Sequence, residues 1–368
     1  MTTASHPLRV LHIIPSSSVG GGPEHVWQLV RHLPPHVASF IAAPRREPYW
    51  PRFMEAVGEN RMIEIPQRSF SLRALWKVRS FLMSRDIRLI HSHGKGGGLY
   101  GRPLAVLSGR ASVHTFHGIH APYPFPLDRV YLAGERLLCA ASRYCIAVSP
   151  GEKLLAESLG LGGDRLAVVY NGVEVPVCVT PHEEETFTIV HATRFDPVKN
   201  TPWLQHLAAA LAACGLERFR IVIAGDGTSR VDMEHAIAKA GLARYFLFAG
   251  EQGSLREIVK GAGCYVSCSS REGLPLAVLE AQAEGVPAVV SDVTGNRDAI
   301  EDGVTGMAFP FDDAAAAAAA VLRLAKEPGL RQRMGQAAHA RALELFDVRT
   351  MAETTAALYG RALGAVAQ

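Results

Sequence analysis

The chain has 368 residues, which is too long for one ordinary hydrophobic core and suits two domains. Hydrophobic residues make up 48% of it and charged residues 20%, a balance typical of soluble globular proteins. The net charge of +3 is unevenly spread, because residues 1–178 carry 20 Lys and Arg against 12 Asp and Glu. That excess is either surface solvation or a sign of an anionic partner, such as a phosphorylated small molecule, a lipid headgroup or nucleic acid.

The N-terminus and the cysteines predict a cytoplasmic protein. The apolar run before Pro15 has five residues, which is too short for a signal peptide. None of the six cysteines belongs to a Cys-x-x-Cys pair, and several lie in apolar strand-like runs. Buried free thiols in a reducing cytosol are therefore expected, rather than disulfides or a metal site.

Short apolar runs alternate with amphipathic stretches along the first half of the chain. The strand-like runs are, in order, "LRVLHIIP", "ASFIAAP", "MIEIP", "IRLIHSH", "SVHTFHG", "CIAVS" and "LAVVYNG". Buried parallel strands form continuous apolar runs of this kind, and intervening helices imply right-handed crossovers. The pattern predicts an α/β domain with a doubly wound parallel sheet.

A second series of the same kind follows a break in the pattern. The stretch "EVPVCVTPHEEET", residues 174–186, is rich in prolines and charges and reads as a linker. The strand-like runs after it are "FTIVHATR", "FRIVIAGDG", "YFLFAG", "CYVSCSS", "PAVVSD" and "TGMAFPF". We predict two Rossmann-like domains, 1–175 and 176–349, facing across a cleft, with a C-terminal helix 350–368 that crosses back to the first. Ligands of open α/β sheets bind beyond the carboxyl ends of the strands, so the turns there are the candidate sites.

The first such turn is "PSSSVGGGPEHVWQLV". Its three glycines precede a helix for which Pro23 suits the first position. Glycine lets the backbone approach a ligand, and the free N–H groups of a helix start favour an anion. Gly21 and Gly22 are therefore candidate ligand contacts, and a tight strand-to-helix turn is the alternative.

Two further turns of the first half carry histidines. "HSHGKGGGLYGR" contains a G-x-G-x-x-G, but it is not at the first strand and no acidic residue ends the next strand, so we set NAD binding aside. Its His93 and Lys95 are candidate acceptor contacts. In "VHTFHGIHAPY", His117 stands at a strand end, where an imidazole can donate to a sugar or a phosphate. His120 and Tyr123 of the same turn are further acceptor candidates.

The turns of the second half carry charges. In "HATRFDPVKN", Arg194 and Lys199 lie five residues apart around a proline, so both side chains could converge on one anion. Solvated surface charge is the alternative. In "AGDG", Gly227 permits close approach and Asp226 is a candidate helix cap or ligand contact.

The stretch "SSREGLPLAVLEAQAEGVPAVVSD" holds two glutamates, Glu272 and Glu280, separated by seven residues. Glu272 lies in the turn after a strand, and Pro275 suits the first position of the helix that follows. The start of that helix offers unpaired N–H groups to a phosphate. Glu272 would then meet a hexose ahead of the phosphate, and Glu280, about two turns into the helix, would accept hydrogen bonds from a ribose diol.

Taken together, these segments resemble the retaining GT-B glycosyltransferases of the family-4 type (glycosyl transferases group 1), and the match spans nearly the whole chain. The strongest signature is the Glu-x7-Glu segment with the "GNRDAIEDGVTG" that follows it. The N-terminal glycines, "TFHG", "VSPGEK", "VVYNGVE", "TRFDPVKN" and "AGDG" occur in the expected order.

The resemblance implies transfer of a hexose or an N-acetylhexosamine from a nucleotide donor with retained anomeric configuration. Arg194 and Lys199 would bind the donor diphosphate and stabilise it as the leaving group. Glu272 would hold the sugar hydroxyls with help from the backbone after Gly273, and His117 would sit near the reacting sugar. The remaining donor contacts implied in this way are Gly21, Gly22, Asp226, Gly227, Leu274, Leu276 and, on the ribose, Glu280.

No Asp-x-Asp motif occurs in the chain, so we expect cations from Arg194 and Lys199 to replace the divalent metal that such a motif holds, and no cofactor. From the family's commonest use we expect a UDP-sugar, and a glycan acceptor, lipid-linked, of bacterial-type surface polysaccharide or lipopolysaccharide assembly. The helix-like segment "RALWKVRSF" suits either ordinary packing or peripheral contact with the inner face of an anionic membrane, and the sequence leaves the two open.

Two other readings remain at this point. A nucleotide-sugar epimerase of GT-B shape would need acidic and basic groups on both faces of the sugar carbon. A non-catalytic sugar-binding protein of two domains is usually exported, and the N-terminus argues against that. A nucleic-acid partner is not expected, because the only stretch of the first half that interleaves aromatic and basic residues is "RALWKVRSF", and its spacing suits an amphipathic helix better.

Overall fold

The computed structural model describes residues 7–119, 126–179 and 185–364. They divide into two compact units. The first unit runs to Gly172 and resumes at Val348, and the second unit is Val173–Asp347. The divisions predicted from the sequence, after residues 175 and 349, lie two or three residues further on.

The first unit is built on a parallel sheet of seven strands in the order β3-β2-β1-β4-β5-β6-β7. The strands are β1 (Leu8–Ile13), β2 (Val37–Ala43), β3 (Met62–Glu64), β4 (Leu89–His93), β5 (Ala111–Thr115), β6 (Tyr144–Ala147) and β7 (Leu166–Val168). The helices that precede Gly172 in this unit are α1 (Gly21–His32), α2 (Tyr49–Val57), α3 (Leu72–Ser84), α4 (Gly94–Ser108), α5 (Leu127–Ala140) and α6 (Pro150–Ser158).

The second unit repeats the design with six parallel strands in the order β10-β9-β8-β11-β12-β13. The strands are β8 (Phe187–Ala192), β9 (Phe219–Ala224), β10 (Phe246–Gly250), β11 (Cys264–Ser267), β12 (Ala288–Ser291) and β13 (Gly306–Phe309). The helices are α7 (Leu204–Ala213), α8 (Arg230–Lys239), α9 (Arg256–Val259), α10 (Leu276–Ala283), α11 (Thr294–Ala299), α12 (Ala314–Lys326) and α13 (Pro328–Leu345).

Helix α14 (Val348–Ala362) returns the chain to the first unit. Gly172 allows the crossing, because a Cβ there would lie 2.6 Å from the Cα of Val348. Tyr359 on this helix is fully buried, and its hydroxyl lies 2.7 Å from Nδ1 of His91 on β4. The last helix therefore covers one face of the first sheet.

Both sheets have the predicted doubly wound topology, and the strand order of each reverses at one point. In the first sheet this switch point lies between β1 and β4, and in the second it lies between β8 and β11. Neighbouring connections leave in opposite directions there and open a crevice at the carboxyl ends of the strands. The turns after these four strands are therefore the best placed for a ligand.

Two helix starts differ from the predictions. Helix α1 begins at Gly21, so Pro23 is its third residue. Helix α10 begins at Leu276 after an extended Pro275, which makes Glu280 its fifth residue, one turn into the helix rather than two. Proline is tolerated at all these positions because the first N–H groups of a helix have no partner within the helix.

All six cysteines carry free thiols, four of them buried, while Cys178 and Cys214 are exposed. In the part of the chain that the structure describes, no helix is both long and apolar enough to cross a membrane.

Candidate functional site

The switch point of the second sheet brings Lys199 and Glu272 into direct contact. Lys199 follows β8 and Glu272 follows β11, and Nζ of the lysine donates to Oε1 of the glutamate over 2.7 Å. Their side chains are 21% and 14% exposed. The pair is thus partly desolvated and still reachable from solvent, which suits a site that exchanges an internal partner for a ligand.

Hydrogen bonds between the two turns fix this contact. The N–H of Ser270 donates to the carbonyl of Val198 over 2.8 Å, and the thiol of Cys268 lies 3.3 Å from the carbonyl of Lys199. The lysine and the glutamate therefore stand on turns that are joined through their backbones.

Asp196 organises the turn that carries the two cations. Its Oδ1 accepts the N–H of Lys199 over 3.2 Å and caps a short 3-10 helix, and its Oδ2 accepts Nη2 of Arg194 over 2.8 Å. Arg194 is 45% exposed, so its guanidinium is held at the surface. The structure thus pairs Arg194 and Lys199 with different carboxylates, and their joint action on one anion remains a prediction.

The glycines of "AGDG" serve the packing of this turn. A Cβ on Gly225 would lie 1.8 Å from the carbonyl oxygen of Thr193, and one on Gly227 would lie 2.4 Å from that of Arg194. Only glycine fits so close to another backbone segment. Gly227 thereby supports the position of Arg194, a role that needs no ligand.

Asp226 does not cap the helix that follows. Helix α8 begins at Arg230, and Asp226 instead forms an ion pair with that arginine over 3.3 Å. Its Oδ1 also accepts the N–H of Gly227 over 2.7 Å. The capping alternative was wrong because Asp226 lies four residues before the helix, while the ligand alternative stays a prediction.

The two glutamates of the Glu-x7-Glu segment both raise the pKa of one buried tyrosine, Tyr265. Burial raises the pKa of Tyr265, and the charges of Glu272 and Glu280 raise it further. Its hydroxyl accepts the N–H of Ala192, at the end of β8, over 3.2 Å. Both carboxylates therefore lie within electrostatic reach of one point beside the end of β8.

Two residues that the sequence analysis did not single out support the Glu272 turn. A Cβ on Gly295 would lie 2.5 Å from the carbonyl oxygen of Gly273, so α11 packs directly on this turn. The neighbouring Asn296 is buried, and its Nδ2 donates to Oγ of Ser291 over 2.9 Å. The sequence did carry a signal for both residues, because they are the first two of the segment "GNRDAIEDGVTG" and follow strand β12.

The glycines that follow β1 differ in their packing from those that follow β4. A Cβ on Gly22 would meet Ile14 at 3.5 Å, an ordinary contact, so packing at this position leaves room for a side chain. In the G-x-G-x-x-G segment, a Cβ on Gly96 would lie 2.6 Å from Pro15, and one on Gly101 would lie 2.6 Å from Ser92. That motif therefore lets α4 pack closely on the sheet, which explains it without a dinucleotide.

The switch point of the first sheet holds a cluster of imidazoles. His93 lies at its centre: its Nδ1 is 3.2 Å from Nε2 of His117, and its Nε2 is 3.4 Å from Nδ1 of His12. His25 adds a ring 4.5 Å from that of His117. We call these four residues, together with His91, the histidine cluster.

Burial makes the histidine cluster neutral. It lowers the pKa of His25 to about 4, and together with the nearby His25 it lowers the pKa of His117 well below its usual value. His117 is therefore a neutral imidazole near pH 7, which can donate through one nitrogen and accept through the other.

The backbone holds His117 in a left-handed conformation, with φ of 58°, and the next residue, Gly118, has φ of 100°. Such a conformation persists where its surroundings enforce it. Here the buried Glu152 accepts the N–H of Gly118 over 2.5 Å and that of Val148 over 2.7 Å. Sequence reasoning missed Glu152, although "SPGE" carries the Ser and Glu of a capping box at the start of α6.

The four acceptor candidates have different outcomes. His93 is buried and its Nδ1 lies 3.2 Å from Nε2 of His117, and its contact with an acceptor stays a prediction. Lys95 places its Nζ 4.8 Å from the centre of the Tyr131 ring. His120 and Tyr123 lie outside the described residues.

Two family models match the chain. One, described as glycosyl transferases group 1, matches residues 179–341, and the other, described as Glycosyltransferase Family 4, matches residues 19–177.

Curated relatives match over most of their length. The chain is 28% identical over 307 residues to the putative glycosyltransferase EpsD of Bacillus subtilis (strain 168), covering 78% of this chain and 80% of that protein. It is 30% identical over 322 residues to the D-inositol 3-phosphate glycosyltransferase of Kribbella flavida, covering 77% and 74%. It is 25% identical over 260 residues to the UDP-Gal:alpha-D-GlcNAc-diphosphoundecaprenol alpha-1,3-galactosyltransferase of Escherichia coli, covering 66% and 67%.

Among solved structures, the chain is similar to Alr3699/HepE of Anabaena in complex with UDP and glucose. The TM-score is 0.82 at 17% identity, over 96% of this chain and 100% of the other.

The buried His191, beside the Lys199–Glu272 pair, predicts a loss of stability in acid. Burial lowers the pKa of His191 to about 4. Below about pH 6.5 this histidine is therefore protonated in the unfolded chain but still neutral in the folded chain. Its contribution is present above that pH and is lost as the pH falls toward 4, by about 3 kcal/mol. Urea unfolding across this range should show a shallower pH dependence for His191→Gln than for the wild type. The exposed His206→Gln is the control, and equal pH dependence in all three proteins would contradict the prediction.

Proposed function

Because the chain belongs to the GT-B glycosyltransferases of the family-4 type, we propose that it transfers a sugar, with retention, from a UDP-sugar to a lipid-linked glycan. The likeness to a solved structure over nearly the whole chain confirms the predicted fold of two Rossmann-like units. The observation that carries the proposal is the Lys199–Glu272 contact at the switch point of the second sheet.

We assign the donor diphosphate to the cations of this turn. Lys199 supplies a point charge and Arg194 a planar fork, and both end on a turn whose backbone is fixed. The start of α10 adds N–H groups that have no partner within the helix. Charge that develops on the leaving diphosphate is then met by groups already in place, so this chemistry needs no divalent metal.

The two carboxylates are assigned to the uncharged groups of the donor, which are the hydroxyls of the sugar and of the ribose. Glu272 is held by Lys199, and in this assignment it accepts hydrogen bonds from sugar hydroxyls while the lysine turns to the phosphate. Glu280, half-buried one turn into α10, accepts hydrogen bonds from the ribose diol. Gly273, Leu274 and Leu276 line the path between them as backbone and apolar contacts.

His117 is assigned to the reacting sugar. Its imidazole is neutral and its turn is fixed by Glu152, so it donates a directed hydrogen bond without adding a charge. Retention is proposed to follow from a front-face displacement. The departing phosphate oxygen takes the proton of the acceptor hydroxyl as that hydroxyl forms the new bond to the anomeric carbon.

The donor base, the acceptor and the pathway are proposed from relatives. UDP is bound in the similar Anabaena structure, and the relative from Escherichia coli is named for a UDP-Gal donor and a diphosphoundecaprenol-linked acceptor. On this basis the sugar is a hexose or an N-acetylhexosamine, and the pathway is bacterial-type surface polysaccharide or lipopolysaccharide assembly.

Helix α3 supports the proposal of a lipid-linked acceptor and peripheral attachment. Leu72 is 65% exposed and Trp76 is 54% exposed, and they alternate with the exposed Arg73 and Lys77. The opposite face of the helix packs into the core through Leu75. A helix that is anchored on one side and mixes apolar with basic residues on the other fits an anionic membrane surface.

The donor assignment predicts that Glu280→Gln weakens binding of UDP. A hydrogen bond to a charged group contributes about 1.5–3 kcal/mol, so the dissociation constant should rise by about 10- to 150-fold. Titration calorimetry with UDP measures this. Glu257→Gln, which removes the same charge from an exposed position of the second unit, should bind as the wild type does. Unchanged affinity in Glu280→Gln would refute the ribose assignment.

The membrane assignment predicts that Leu72→Ser reduces binding to vesicles that contain anionic phospholipid. Losing one inserted leucine should lower the partition coefficient about tenfold, because its apolar surface no longer leaves water. Cosedimentation measures the bound fraction. Leu154→Ser is the matched control, since Leu154 is 67% exposed on α6. Equal binding of both variants would exclude α3 as the contact surface.

A further inference from the structure

We propose that His25, His93 and His117 form a zinc-binding site in the first unit, and that an ion bound there inhibits the transferase. The binding part of this inference stands on the histidine cluster alone, and the inhibition rests on the proposed role of His117.

The spacing of the three imidazoles matches that of zinc ligands. One nitrogen from each ring lies within 4.8 Å of the other two. Nδ1 of His93 and Nε2 of His117 are 3.2 Å apart. Two nitrogens bound at 2.0–2.1 Å to a tetrahedral zinc ion would be about 3.3 Å apart, so these two rings need little movement to share an ion.

Outer hydrogen bonds orient two of the rings for this task. Nδ1 of His25 lies 3.0 Å from Oδ1 of Asn171, an oxygen that only accepts, so Nδ1 carries the hydrogen and Nε2 carries the lone pair. Nε2 of His93 lies 3.4 Å from Nδ1 of His12, which can accept its hydrogen when Nδ1 of His93 binds the ion. Partners of this kind fix the tautomer and orientation of metal-binding histidines.

The chemistry of the ligands selects the ion. Burial keeps these imidazoles neutral, so no proton has to leave before an ion binds near neutral pH. Neutral imidazoles suit Zn²⁺, whereas Mg²⁺ and Ca²⁺ prefer oxygen ligands. His117 is half-buried while the other two are buried, so the ion can enter from the side of His117 and keep a water as its fourth ligand.

A second trio in the same cluster is less suited to an ion. His12, His91 and His93 are all buried, and both nitrogens of His91 are already engaged. Nδ1 lies 2.7 Å from the hydroxyl of Tyr359, and Nε2 lies 2.8 Å from that of Thr115. A metal there would break one of these two hydrogen bonds of His91, whereas Nε2 of His25 lies on the other side of the ring from the bond to Asn171.

An ion bound to His117 takes Nε2, which lies 3.2 Å from Nδ1 of His93, and leaves the hydrogen on Nδ1. The ring is then held toward His25 and His93 and can no longer turn its N–H toward the sugar. The proposed inhibition rests on this loss of orientation, although the transfer proposed above needs no cation.

The test is a titration of the metal-free, full-length protein with Co²⁺ and then Zn²⁺. A tetrahedral Co²⁺ site absorbs strongly at visible wavelengths. We expect the protein to bind one equivalent of Co²⁺, which Zn²⁺ displaces and excess Mg²⁺ does not.

His25→Gln and His117→Gln should each weaken binding at least tenfold, with folding checked by circular dichroism. His114→Gln is the control, because His114 is a buried histidine of the same sheet that bonds Ser92 and belongs to neither trio. Failure of the wild type to bind Co²⁺ or Zn²⁺, or equal weakening in His114→Gln, would overturn the site.

Activity separates the two parts of the inference. If Zn²⁺ binds and inhibits the wild type in proportion to the occupied fraction, both parts hold. If it binds without inhibiting, the zinc site stands and the inhibition is wrong, together with the sugar contact of His117. If it does not bind, the site is wrong while the donor assignment on the second unit is untouched.

Discussion

The rest of the candidate donor site depends on one ion pair, between Lys199 and Glu272. It joins the turns after β8 and β11, the two strands between which the order of the second sheet reverses. A partly buried pair loses hydration on both charges, and removing one partner leaves the other charge uncompensated. An anion that takes the lysine, together with hydroxyl groups that take the glutamate, would restore that balance. The pair therefore favours a ligand that carries both groups next to each other, as a sugar diphosphate does.

The two units place different chemistry at equivalent points of similar sheets. The second unit has paired charges on turns tied together by their backbones. The first unit has neutral imidazoles, buried beside one another and bonded to hydroxyls, an amide and each other. Charges suit the leaving diphosphate, whereas neutral rings direct hydrogen bonds to uncharged hydroxyl groups. The same neutrality makes the imidazoles available to a metal ion, so one physical property underlies both the proposed sugar contact and the proposed zinc site.

The sequence predicted the strands well because buried parallel strands are continuous apolar runs, and each of the 13 strands among the described residues overlaps one of the predicted runs. It also placed Glu272 and Lys199 on turns after strands. It did not predict that the two side chains touch, because 73 residues separate them and the contact depends on the pairing of β8 with β11. Glu152 was missed for a similar reason, since its contact with the His117 turn spans 34 residues. The packing role of the G-x-G-x-x-G segment could not be predicted either, because it depends on neighbouring residues such as Pro15 that are distant in sequence.

The most direct test of the donor assignment is a crystal structure of the protein with UDP bound. The account predicts a phosphate oxygen at about 3 Å from Nζ of Lys199 and the ribose hydroxyls at a similar distance from Glu280. Glu272 would then have exchanged the lysine for solvent or for sugar hydroxyls. A nucleotide bound at the G-x-G-x-x-G segment, or one in the second unit that leaves the Lys199–Glu272 pair intact and lies away from Glu280, would contradict it.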